Sequence, residues 1–163
     1  MMNSDEVRYC LRCGAELTTA ERYGKLRKVC SACEWVYFAD PKVAAAVLVE
    51  RDNQVLLVRR AFNPGKGAWT LPAGFVDAGE DPAVAAVREC LEETGLSIVI
   101  TGLLTVLSGQ EHPRGAHIII FYRGTVLSGI LSPNDDADQV GFFPRNNLPP
   151  LAFSTTQKVL DLG

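Results

Sequence analysis

The chain has 163 residues, room for one ordinary domain or for one domain with a small module attached. Apolar residues make up 47% and charged residues 21%, a globular composition that excludes an intrinsically disordered chain. A net charge of −3 gives no electrostatic reason to expect nucleic acid or an anionic membrane as a partner.

The N-terminus opens on polar and acidic residues, without the basic-then-apolar layout of a secretory signal. The longest apolar stretches, such as Val43–Val49 and Ile118–Tyr122, are too short to span a bilayer, so a cytoplasmic protein is expected. In that reducing compartment clustered cysteines suggest a metal site before disulfides. Cys10-x2-Cys13 and Cys30-x2-Cys33 stand sixteen residues apart. Each pair suits a tight knuckle that turns two thiolates on one ion, and Gly14 directly after the first suits such a turn. The spacing predicts a structural zinc (Zn2+) ribbon in a segment with little else to form a core, and four sulfur ligands leave no open position for catalysis. A nucleic-acid-binding ribbon stays open, but residues 1–40 carry six basic and six acidic side chains, which is no basic footprint, and no nucleic-acid partner is expected.

The pattern changes at Ala39–Asp40–Pro41, which sets the boundary between a module at 1–39 and a larger domain at 40–163. Val43–Glu50 and Gln54–Arg60 read as strands joined by the polar turn Arg51–Asp52–Asn53. A loop follows over Ala61–Gly67, then a short extended segment, Trp69–Leu71, leads into Pro72–Ala73–Gly74. Asp81 is an N-cap and Pro82 a first helical residue; the helix runs to Thr94 and stops at Gly95. Val84, Val87 and Leu91 are expected to pack that helix on a sheet, with Cys90 in the core. Ile98–Leu107, Ala116–Val126 and Val140–Phe143 read as further strands, and Ser154 as the cap of a last helix ending at Leu160. Strands mixed with two helices predict an α/β sandwich with a mixed sheet.

Glu89, Glu92 and Glu93 stand at i, i+3 and i+4 and project from neighbouring positions of one helix face. Like charges so placed destabilise a helix unless a cation answers them, and hard oxygen donors at this density suit Mg2+ or Mn2+. Arg88 supplies fixed charge beside them, and Gly74 and Gly79 bracket a tight loop where backbone can approach a phosphate or a metal. A solvated acidic helix face is the commoner meaning of such a run. The flanks decide against it, because the whole segment resembles the Nudix box, G-x5-E-x7-R-E-U-x-E-E-x-G-U with U apolar. Gly74, Glu80, Arg88, Glu89, Glu92, Glu93 and Gly95 meet its fixed positions, and Cys90 and Leu96 its apolar ones.

The resemblance covers roughly residues 41–160 and implies a Nudix α/β/α sandwich acting as a pyrophosphatase on a small nucleotide. It implies that Glu89, Glu92 and Glu93 hold Mg2+ with the carbonyl of Ala73, that Glu80 contributes indirectly, and that Arg88 orients Glu89. Gly74 and Phe75 would meet the substrate. The general base would be Glu89 or a distal acid; Asp136 is chosen from the loop Pro133–Asp138, although relatives carry a glutamate where this chain has Gln139. Glu111, His112 and His117 are alternative bases, each more often structural. Phe62, Phe75 and Phe121 could stack an adenine, although each is more often a packing residue. A zinc ribbon ahead of such a domain is similar to NADH pyrophosphatases and to ADP-ribose or FAD pyrophosphatases. The SQPWPFP-like signature of the former is replaced here by Leu107–Pro113, which favours ADP-ribose or FAD. A nucleoside triphosphate pyrophosphohydrolase and a non-catalytic regulator are the alternatives, and a homodimer is implied by resemblance alone.

Overall fold

The computed structural model describes residues 7–109, 111–112 and 115–162; the polar N-terminal residues, and Gln110 and Pro113 within the segment compared above, lie outside the described residues. The chain divides into two compact units, Met1–Pro41 and Lys42–Gly163. No helix among the described residues is long and apolar enough to cross a membrane.

The first unit is built on a hairpin, β1 (Leu17–Arg22) and β2 (Lys25–Cys30). Its turn residues Tyr23 and Gly24 both have positive φ, 53° and 71°, as a two-residue turn matching strand twist requires. These polar strands lack clean apolar alternation, which is why the sequence does not announce them. Val7, Cys10, Leu17 and Cys30 are buried, with Ala15, Trp35 and Tyr37 packed against them. Two of the four clustered cysteines thus belong to the core of the unit.

The second unit is a mixed sheet between two helices. Its strands are β3 (Val43–Arg51), β4 (Gln54–Arg60), β5 (Trp69–Thr70), β6 (Ala73–Phe75), β7 (Leu96–Ser108), β8 (Ile118–Gly129) and β9 (Ala137–Pro144). The order is β5-β4-β3-β8-β7, with β6 paired to β3 and β9 to β4. β3 runs antiparallel to β4 and parallel to β8. Helix α1 (Pro82–Thr94) covers one face and α2 (Ser154–Leu160) the other. Ala45, Val47 and Val49 point towards α1, and Ala46 and Leu48 towards α2. This double cover is why β3 reads as a continuous apolar run rather than an alternating one. Full burial of each Leu or Val contributes about 1.5–3 kcal/mol.

Asp52 and Asn53, both at positive φ, close the β3–β4 hairpin. Ala73 and Gly74, into which the extended segment leads, belong to β6 and pair with β3, so the chain entering the acidic segment is held by a ladder. The carboxylate of Asp81 accepts hydrogen bonds from the amides of Ala83 (2.8 Å) and Val84 (3.4 Å) at the start of α1. Gly95, at φ 71°, ends the helix by donating to the carbonyl of Leu91.

Two expectations change. Val84 and Leu91 are 58% and 49% exposed, whereas Ala85, Ala86, Cys90, Glu93 and Thr94 are buried. The packed arc is centred on small residues that let α1 approach the sheet, and it carries Glu93 inward. Ser154 is the first helical residue of α2 and no side chain of its own segment caps that helix. Instead the carboxylate of Glu111 accepts from the amides of Ser154 (2.7 Å) and Thr155 (2.9 Å).

Candidate active site

Arg88 is the hub of the acidic segment. Its Nε and Nη2 bind the two oxygens of Glu80 at 2.8 and 2.9 Å. Nη1 donates to Glu89 at 2.6 Å and to Glu92 at 3.0 Å, and Nη2 also donates to the carbonyl of Phe75 at 3.0 Å. One guanidinium therefore ties the carbonyl of Phe75 to three carboxylates, one ahead of α1 and two on it. These hydrogen bonds, from Glu80 first and then Glu89, make Arg88 hold its proton more firmly than a free guanidinium. Glu80 also accepts from the amide of Asp77 (3.0 Å), so both its oxygens are taken; the Arg88 bonds pull its carboxyl down to about 2.

Glu89 lies against the backbone of β6. A Cβ on Gly74 would collide with the Glu89 carboxylate, so glycine is required there for close approach. Burial raises the Glu89 carboxyl above its ordinary range. Glu93 is 4% exposed and accepts from the amide of Ala73 at 3.0 Å. Burial pushes its carboxyl up to about 8, against the pull of that amide. The contact at Ala73 is thus made by its N–H to a carboxylate, while the neighbouring Pro72 carbonyl is taken by the amide of Val47.

Glu89, Glu92 and Asp135 each bring a carboxylate oxygen within 4.8 Å of the others. Asp135, passed over in the sequence in favour of Asp136, reaches them because the distal loop docks on the end of α1. Ser132 donates to the carbonyl of Thr94 (2.9 Å) and Asn134 to that of Glu93 (3.3 Å). Asp135 then adopts φ 53°, a left-handed conformation that Asp tolerates better than most residues. An Asn-Asp-Asp run is a signal for such a turn, but not for which acid faces the helix. Asp136 lines the neighbouring cleft, and its backbone carbonyl accepts from the amide of Ala61.

That cleft has a volume of about 780 Å3, within the range of small-molecule sites. Glu89, Glu93 and Asp135 lie on its acidic wall; Arg60, Phe75 and Phe153 also line it. The Arg60 guanidinium sits 5.2 Å from the Phe153 ring centre, with Nε bound to the carbonyl of Pro64 at 2.5 Å. Neither Arg60 nor Phe153 carried a sequence signal. Of the other aromatic candidates, Phe75 is 48% exposed in the cleft, Phe121 is buried, and Phe62 is exposed outside the lining. His112 lines the cleft, whereas His117 Nδ1 accepts from the amide of Lys42 (2.9 Å) and is structural. Glu111 lines the cleft with its carboxylate committed to α2; its amide bonds there outweigh partial burial and hold its carboxyl low.

In the first unit Cys10, Cys13, Cys30 and Cys33 place their sulfurs within 4.8 Å of one another. Cys10 and Cys33 stand 3.6 Å apart and Cys13 and Cys30 3.4 Å apart. The two knuckles match: Gly14 donates to the carbonyl of Cys10 and Glu34 to that of Cys30, both at 2.9 Å. Sulfur spacing near ~3.8 Å is what a tetrahedral zinc site with ~2.3 Å bonds requires. Cys90 is apart from this group, buried against Thr94, and burial raises its thiol to about 11.

The model of the NUDIX domain family matches residues 40–162. The ADP-ribose pyrophosphatase of Methanocaldococcus jannaschii is 43% identical over 125 residues, 76% of this chain and 74% of that protein. The NAD-capped RNA hydrolase NudC of Pseudomonas aeruginosa is 29% identical over 88% of this chain, which spans 50% of that protein's length. Among solved structures, a NUDIX hydrolase from Nitrosomonas europaea superposes with a TM-score of 0.84 at 30% identity, over 94% of this chain and 88% of that one.

Proposed function

The chain belongs to the Nudix family of hydrolases, and from that premise we propose a magnesium-dependent enzyme that cuts the diphosphate bridge of ADP-ribose or FAD. Water adds to one phosphorus and the bridging P–O bond breaks, giving a nucleoside monophosphate and a phosphorylated remainder. The observation that carries this reading is the meeting of Glu89, Glu92 and Asp135 at the edge of a nucleotide-sized cleft. The M. jannaschii relative supports the choice of substrate.

The donors fit a hard divalent cation. All are carboxylate oxygens, and the second oxygens of Glu89 and Glu92 accept no hydrogen bond among the described residues. Magnesium or manganese, when bound, supplies charge that neutralises the diphosphate and acidifies water. Glu89, Glu92 and Asp135 would hold it, with Glu93 and the Ala73 carbonyl extending the set inward. Arg88 keeps Glu89 and Glu92 in position, and Glu80 acts through Arg88 because its own oxygens are taken. Glu89 accepts the proton of the attacking water, and Asp136 adds negative charge behind it. Gly74 leaves room for Glu89, Arg60 pairs with a phosphate oxygen, and the rings of Phe75 and Phe153 bracket the base. The four cysteines fit a structural Zn2+. The reading extends to the reducing cytosol, which ligand thiols favour, and to a homodimer, which rests on resemblance alone.

A nicotinamide dinucleotide is the second reading. The match to NudC spans 88% of this chain, more than the second unit alone supplies. A turnover panel of ADP-ribose, FAD, NADH and nucleoside triphosphates with magnesium separates these readings by rate and product. AMP released fastest from ADP-ribose or FAD is expected. Pyrophosphate release from a triphosphate as the fastest reaction, or Glu92→Gln retaining full turnover of the best substrate, would overturn the proposal.

A further inference from the structure

The N-terminal hairpin has a face that neither the cysteine cluster nor the cleft uses. In its register Leu17 opposes Cys30 and Glu21 opposes Leu26, whereas Ala20 opposes Arg27 and Arg22 opposes Lys25. Directly opposed side chains share a face and successive pairs alternate. The face of the buried Leu17 and Cys30 therefore also takes Lys28 and Glu21, the strands' one carboxylate. The opposite face takes Arg22, Lys25 and Arg27. None of these three is in an ion pair among the described residues. The even charge count of residues 1–40 conceals this segregation.

Two aromatic rings accompany the cations. The Arg27 guanidinium lies 4.5 Å over the ring of Phe38, and the Tyr23 ring centre is 5.9 Å from that of Phe38. Both rings are open to solvent, Tyr23 at 77% and Phe38 at 48%. Exposed rings beside cations without a carboxylate partner do not strengthen a small core. They match a chain that carries regular negative charge and free π faces.

We infer that this face binds single-stranded RNA. Arg22, Lys25 and Arg27 contact successive phosphates, and unpaired bases stack on Tyr23 and Phe38. A duplex buries its base faces and leaves the rings without a partner, and a lipid headgroup layer supplies charge without stacking. The inference concerns the first unit alone and stands or falls separately from the hydrolytic reading.

The test is fluorescence anisotropy of the full-length protein with a labelled single-stranded RNA of about a dozen nucleotides. Saturable binding is expected, with affinity falling with salt at a log–log slope of about −2 for three phosphate contacts. Arg22→Ala/Lys25→Ala/Arg27→Ala should abolish it. Tyr23→Ser should weaken it by ~5–100-fold. Both variants should keep the thermal midpoint and tryptophan fluorescence of the parent. Tyr23 is a solvent-exposed turn residue, so the second variant decides the matter if the first misfolds. Absence of binding at low salt, equal affinity for the same strand in a duplex, unchanged binding by Tyr23→Ser, or binding only to phosphatidylserine vesicles would each overturn the inference.

Discussion

The two units collect like charges in opposite ways. In the first, two of the four clustered sulfurs are themselves core residues, and only a handful of side chains pack around them. In the second, the carboxylates ride on a helix whose small residues dock on a sheet buried on both faces. A ligand set that is also the core makes folding depend on its ion; a ligand set mounted on a finished core does not. On the proposed reading the cation would be structural in the first case and chemical in the second.

The largest effect is expected in the first unit. Apparent zinc binding energies of about 10–16 kcal/mol exceed anything so small a core supplies. Cys30→Ser, or a strong chelator, should unfold residues 7–41 while leaving the second unit's cooperative transition in place. NMR amide dispersion and metal analysis would report it. A well-dispersed first unit without metal would refute the structural role. In the second unit the complementary result is expected of Glu92→Gln. Turnover should fall ~10²–10³-fold, as when a group that stabilises developing charge is removed. The thermal midpoint should hold or rise, because a like charge has left the cluster.

Gly74→Ala should come next and should blur the distinction by touching both fold and chemistry. The new methyl would drive the Glu89 carboxylate off β6. Displacement by about 1 Å can cost ~10² in rate. A kcat loss with little change in KM, together with a lowered thermal midpoint, is the expected signature; unaltered kcat would show that Glu89 need not lie where it does.

The pH response separates the units without mutation. Glu93, with its carboxyl pushed up to about 8 by burial, holds more protons folded than unfolded. For such an acid, stability present at low pH is lost as pH rises from the ordinary 4.5 towards about 8. Without divalent metal, the second unit should therefore lose stability by a few kcal/mol across that window. Glu93→Gln should flatten the slope. Thermal midpoints at several pH values in chelator would measure both, and a slope that survives Glu93→Gln would assign the titration to another group.

What the sequence made legible was local. Asp81, Pro82 and Gly95 bound α1 by capping chemistry that acts within a few residues, and Arg51–Asp52–Asn53 announced a hairpin. The cysteine spacing likewise reported a short-range geometry. What it hid depends on contacts far along the chain. β6 becomes a strand only because β3 offers it an edge, and Asp135 joins Glu89 and Glu92 only because the distal loop docks on α1. Glu111 caps a helix more than forty residues away, and Arg60 meets Phe153 across the cleft. No periodicity encodes such meetings.

The smallest effect tests the rotation of α1, on which the inward placement of Glu93 depends. Helical spacing favoured Val84, Val87 and Leu91 as the packing stripe; Val87 does pack on the core, yet Val84 and Leu91 are exposed and the packed arc is centred on Ala85, Ala86 and Cys90. If α1 is turned as described, Leu91→Gln changes an exposed position and should shift stability by no more than ~0.5 kcal/mol. Ala86→Leu should instead force a large side chain between helix and sheet and cost about 1–3 kcal/mol. Urea denaturation of both variants makes the comparison. A costly Leu91→Gln beside a harmless Ala86→Leu would turn the helix over. Glu93 would then leave the cleft wall, and with it would go the physical reason for a carboxyl that stays protonated near neutral pH.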